Sequence, residues 1–188
     1  AGVNARALAT AGDFSPRCIA ELIAGFADMG VPPGAALVAA LSARAVAVVD
    51  HFGAWDTCLL LCSLAETGVQ SGPQLTDALV RRAEVTAHMF NAKQAVRVVR
   101  ALQAMGVSPG APLAAALSRQ VFKYEEQESV QQLRTAFEEM GVEVSPELRA
   151  EPPPQSGAAP KAHNPTNLRA HNPTDRGDAA KGAAGEAR

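Results

Sequence analysis

The sequence predicts an all-α protein: an α-solenoid of about four stacked helix-pair repeats with a 38-residue period, followed by a disordered C-terminal tail. Three observations lead there. Hydrophobic residues make up 47 % of the 188, yet aromatics only 4 %, and the Ala and Leu richness favours close-packed helices over strands. The dipeptide Gly-Val recurs at Gly30-Val31, Gly68-Val69, Gly106-Val107 and Gly141-Val142, with glycine spacings of 38, 38 and 35. Other columns keep the same register. A leucine stands seven residues after each glycine (Leu37, Leu75, Leu113, Leu148), and a large apolar residue four before it (Phe26, Leu64, Leu102, Phe137). Phe14, Phe52 and Phe90 stand sixteen before the first three.

Taken in order, residues 1 to 12 read as the second half of a helix, because Val3, Arg6 and Ala7 stand 38 before Leu41, Arg44 and Ala45. The expectation is that the chain begins inside a repeat and that natural sequence lies upstream. The first complete unit opens at Ser15-Pro16, a capping hydroxyl followed by a proline suited to the first helical turn. Ile19, Leu22, Ile23 and Phe26 then form the i, i+3, i+4, i+7 stripe of an amphipathic helix. This helix should end at Gly30 in left-handed conformation, with Pro32 and Pro33 blocking continuation. A second apolar helix is expected from Gly34 through Leu37, Leu41, Val48 and Val49 to Phe52.

Residues 53 to 90 and 91 to 124 repeat this plan, with loops at Gln70 to Pro73 and Ser108 to Pro112. A last first-type helix runs from about Glu126 to Glu139, and its partner is cut short after Leu148 by Glu151-Pro152-Pro153-Pro154. A single hairpin of this size cannot bury its own apolar face, which is why a period in this range implies stacking. The domains are therefore 1 to 150, helical, and 151 to 188, a Pro/Ala/Gly-rich tail in which Ala-His-Asn-Pro-Thr occurs twice, at 162 to 166 and 170 to 174. Such composition is expected to be disordered alone.

Charge and chemistry narrow the function. The formal net charge is −2, so there is no global basic field of the kind nucleic-acid binders carry. Residues 1 to 150 hold twelve Lys or Arg against fifteen Asp or Glu, with an acidic cluster at Glu125, Glu126, Glu128, Glu138 and Glu139. No apolar run approaches the roughly 20 residues of a membrane span. Cys18, Cys58 and Cys62 are too few for a disulfide framework and point to a reducing compartment. Cys58 and Cys62 could touch one ion at i, i+4 spacing, but no second pair completes four ligands, and small core residues are the simpler reading. His51 and His88 have no triad partners. His163 and His171 fall in the tail. No cofactor, no small-molecule substrate and no catalytic constellation are expected, so the chain reads as a binding or scaffolding protein rather than an enzyme.

The 38-residue period and the run Leu60-Leu61-Cys62-Ser63-Leu64-Ala65-Glu66-Thr67-Gly68-Val69 resemble the octotricopeptide repeats and the related repeats that precede RAP domains in organellar proteins. The resemblance covers about residues 1 to 150; no RAP domain is visible and the repeats are few. It implies a non-catalytic subunit of an organellar ribonucleoprotein, such as the mitochondrial ribosome or an RNA-processing complex. The implied address is the mitochondrial matrix, with the chloroplast as alternative, and the implied partners are organellar RNA, ribosomal RNA included, and proteins of a large assembly. It also implies that RNA-facing side chains come from the first helix of each pair, where the sequence varies most. Arg17, Trp55, Lys93 and Glu128 share one column, Cys18, Asp56, Gln94 and Ser129 the next, and Glu21, Leu59, Arg97 and Gln132 a third. The candidate RNA-binding residues are Arg17, Trp55, Asp56, Lys93, Gln94, Arg97 and Arg100. Trp55 would stack a base while Lys93, Arg97 and Arg100 hold phosphates. The same columns also fit solvent-facing positions that drift freely, with Trp55 covering the core. The rival function is a protein-protein adaptor that makes no RNA contact.

Overall fold

A computed structural model describes residues 2–123 and 127–143, with side chains from residue 5 onward. Among these residues there are eight α-helices and no strand: α1 (Gly2–Thr10), α2 (Pro16–Asp28), α3 (Ala35–Ala47), α4 (Ala54–Thr67), α5 (Pro73–Thr86), α6 (Ala92–Ala104), α7 (Ala111–Lys123) and α8 (Gln127–Glu139). The tail with its duplicated segment, the stretch through Leu148, and Glu125 and Glu126 lie outside the described residues.

The helices pack in two rows. In one, α2 lies on α4, α4 on α6 and α6 on α8; in the other, α1 lies on α3, α3 on α5 and α5 on α7. Short loops tie the rows together within each hairpin. The architecture is repeat-like: α2, α4 and α6 begin 38 residues apart, as do α3, α5 and α7, and α8 begins 35 after α6. One continuous core fills the space between the rows. Phe52, Phe90 and Phe137 are fully enclosed in it, and Leu37, Leu75 and Leu113 are at most 2 % exposed.

Local chemistry accounts for the helix ends. Ser15 Oγ accepts the Cys18 N–H at 3.3 Å and Pro16 opens α2, as its sequence suggests. Gly30 adopts φ +62°. Its N–H donates to Ala27 O at 2.9 Å and that of Val31 to Phe26 O at 3.1 Å, the paired bonds of a Schellman motif. Gly106-Val107 and Gly141-Val142 make the same two bonds, to Gln103 and Leu102 and to Glu138 and Phe137.

The second helices α3 and α5 are shorter than expected. Instead of running to Phe52, α3 stops at Ala47 and the chain tightens into a 3₁₀ turn, Val49–His51. The same turn follows α1 at Ala11–Asp13 and α5 at Ala87–Met89. The physical reason is the phenylalanine that comes next. Phe14, Phe52 and Phe90 all leave the turn in extended conformation, and a continued α-helix could not deliver Phe52 and Phe90 into the core. The part-buried carbonyl is then captured from the following pair: Arg44 Nε–H donates to Phe14 O at 3.0 Å and Arg82 Nε–H to Phe52 O at 2.7 Å. The equivalent place on α7 holds Gln120, whose Oε1 is buried without a partner among the described residues.

Candidate functional site: the outer face of α4 and α6

The seven candidate residues separate into three groups. Arg17, Trp55 and Lys93 each occupy the second position of their helix, on α2, α4 and α6, and all three are exposed. Trp55 is 53 % exposed, so it does not seal the core. Arg17 Nε pairs with Glu21 Oε1 at 2.7 Å, one turn along α2. This contact, with the Asp56 carboxylate a lesser influence, raises the pKa of a guanidinium that is already always charged.

Asp56 and Gln94 have a structural task. Each stands three residues into its helix and turns back to the free N-terminal amides: Asp56 Oδ2 accepts the Gly53 N–H at 3.3 Å, and Gln94 Oε1 accepts the Asn91 N–H at 3.0 Å. Asn91 Oδ1 in turn accepts the Gln94 N–H at 2.8 Å, completing a capping box. These two polar side chains are thus occupied by their own helix ends.

Arg97 and Arg100 form the third group. They lie on one face of α6, exposed, and line a groove of about 310 Å³ between α4 and α6, together with Cys62, Ala65, Glu66, Ala101 and Ala104. Lys93 lies one turn before Arg97 on the same face. Among the described residues none of Lys93, Arg97 and Arg100 forms an ion pair. The alanines keep the floor low, so the two guanidinium groups stand at the rim over a shallow, open channel.

Cys62 on the groove wall is the residue that the sequence pattern did not single out as functional. It is 6 % exposed and Cys58, one turn earlier, 2 %; all three thiols of the chain are free. Their small side chains allow α4 to approach the α6 backbone closely: Cys58 Sγ is 3.9 Å from Gln94 O and Cys62 Sγ 3.8 Å from Arg97 O. Each thiol donates its hydrogen to its α6 carbonyl, and the two sulfurs, one helical turn apart, influence one another. The adjacent Cys58 thiol and the neighbouring Arg97 outweigh burial and lower the Cys62 pKa, whereas the Cys62 sulfur together with burial pushes the Cys58 pKa up. The signal in the sequence was an offset slightly shorter than the period: Cys62 and Arg97 are 35 apart, and Gln103 Nε2 donates to Glu139 Oε2 at 2.6 Å across an offset of 36.

The acidic end stands apart from this groove. Glu128, Glu138 and Glu139 are exposed on α8, with Glu128 held by Gln132 Nε2 at 3.0 Å. Among the described residues no helix is long and apolar enough to cross a membrane, and no group of three or more His, Cys, Asp or Glu is placed to share an ion. His51 and His88 sit in the 3₁₀ turns, His88 Nδ1 lying 3.2 Å from Val85 O. No known family model matches the chain, and no curated protein matches it.

Proposed function

We propose that the helix pairs are units of an α-solenoid of the octotricopeptide or RAP-associated type, and that it serves as a non-catalytic subunit of an organellar ribonucleoprotein in the mitochondrial matrix. Single-stranded RNA lies along the first-helix row in this reading. The observation that carries it is the unpaired cationic face of α6, Lys93, Arg97 and Arg100, with exposed Trp55 on the adjoining helix. Cations neutralise phosphates and release counterions, and an exposed indole offers a stacking plane to any base. The capping duties of Asp56 and Gln94 argue against base reading by that column, so the contact is largely to backbone and stacking face. The solenoid itself is supported by the constant offset between helix starts and by the like-to-like packing of alternate helices.

The test is retention of single-stranded RNA by the full chain as salt is raised, with the triple charge reversal K93E/R97E/R100E as comparison. Three phosphate contacts give a slope of about −2 in log K against log salt, and the reversal removes retention. Salt-indifferent retention, or retention untouched by the reversal, overturns the assignment.

A second reading, the adaptor, has its own support. The acidic excess of residues 1 to 150 and the exposed Met29, Val85 and Met89 suit a protein partner. Purification of the native protein from isolated mitochondria at low salt separates the two. Partners that survive ribonuclease favour the adaptor; co-migrating ribosomal RNA favours the ribonucleoprotein.

A further inference from the structure

We infer that Cys62 is a modification site for thiol-disulfide exchange with a small disulfide that carries carboxylates, whose anionic groups are held by Arg97 and Arg100. The placement of the sulfur is the first observation. Cys62 lines an open groove of about 310 Å³, a volume at the lower end of small-molecule sites. Charge is the second. Two guanidinium groups face one carboxylate, Glu66, across that groove, leaving a net positive rim to which a carboxylate-bearing disulfide is drawn and a cationic one is not. The third is Cys58, one turn earlier on α4, which sits deeper in the interface with its thiol donating to Gln94 O at 3.9 Å and so leaves Cys62 as the sulfur facing the groove. The lowered Cys62 pKa agrees with this arrangement, since the thiolate is the attacking species.

The exchange balances simply. The Cys62 thiolate attacks one sulfur of R–S–S–R; a Cys62–S–S–R bond forms, the original S–S bond breaks, and R–S⁻ leaves and takes a proton from solvent. The Cys62 sulfur is oxidised and the departing sulfur reduced. Cys58 is 2 % exposed, and one turn apart on a helix two Cβ atoms stand about 5–6 Å from each other, beyond the roughly 4.5 Å that a disulfide spans, so the product is the mixed disulfide rather than a Cys58–Cys62 bridge. Cys18 is exposed on α2 and does not line this groove, so it is removed from the test.

The experiment uses the full chain carrying Cys18→Ser, incubated without denaturant with either oxidised glutathione or cystamine, a cationic disulfide. Intact mass and peptide mapping follow the adduct. The expected result is one glutathione on Cys62, formed about tenfold faster than the cystamine adduct, a preference of the size two partly exposed charge pairs provide. Arg97→Gln/Arg100→Gln, at two surface positions, should remove the preference while the helical circular dichroism stays unchanged. Adduct formation only in denaturant, equal rates for the two disulfides, or an intramolecular Cys58–Cys62 bridge as the product would each overturn the assignment.

Discussion

Two glycines show how the meaning of one residue type depends on its backbone. Gly25 lies inside α2 with nothing within 4 Å of the place a Cβ would take, whereas Gly106 has equal room but φ +69°. Gly25→Ala should therefore raise stability by about 0.5–1 kcal/mol through helix propensity and reduced unfolded-chain entropy. Gly106→Ala should lower it by about 1–2 kcal/mol, because an L side chain is strained in the left-handed region. Urea unfolding of the two variants checks both signs. The same attention to surroundings applies to the thiols. Cys62 has its pKa lowered by the adjacent Cys58 thiol and by Arg97, so alkylation of the Cys18→Ser protein should reach half its maximal rate at a pH below the value of about 8.5 for a free thiol. The sign is fixed by direction: a depressed pKa means the reactive anion is already present at lower pH. Arg97→Gln should move that midpoint upward.

At the scale of helices, the ends are held by different devices on the two rows. The first helices α2, α4 and α6 begin with side-chain bonds to their free amides, and the Asn91–Gln94 box is the most complete of these. Asn91→Ala should cost about 1 kcal/mol, within the range for lost N-caps, and should leave RNA retention unchanged at saturating fold. The second helices α1, α3 and α5 end in a 3₁₀ turn, and after the first two the following carbonyl is taken by an arginine from the next pair. Removing that donor by Arg82→Met should destabilise by about 2 kcal/mol, the scale of a charge-assisted hydrogen bond at a partly buried carbonyl. The complementary change, Gln120→Arg, places a donor where a buried Oε1 now lacks a partner. It should stabilise by about 1 kcal/mol, and thermal unfolding of both variants reports the pair of effects.

At the scale of the molecule, what the sequence made legible was whatever repeats locally. The Ile19, Leu22, Ile23, Phe26 stripe, the Ser15-Pro16 start and the glycine stops are decided by neighbours a turn away, and eight packed helices with no strand among the described residues agree with that reading. The 3₁₀ turns were not legible, because Phe52 leaves its helix for the sake of a core assembled from several segments. Nor were the arginine bonds, which span 30 residues and depend on how one pair sits against the next. For the site, Arg97 and Arg100 could be recognised as one helical face, but the opposing wall could not: Cys62 and Glu66 reach it only through the packing of α4 on α6. Asp56 and Gln94 were variable and polar in sequence, and that pattern does not distinguish a cap from a reading head.

Two linkers, at Phe14 and Phe52, are tied to the following pair by an arginine, and the corresponding place on α7 holds glutamine. The stack is therefore a seam with uneven stitching: an arginine crosses each of the first two joints, and at the third the Ala87–Met89 turn and α7 meet through packing.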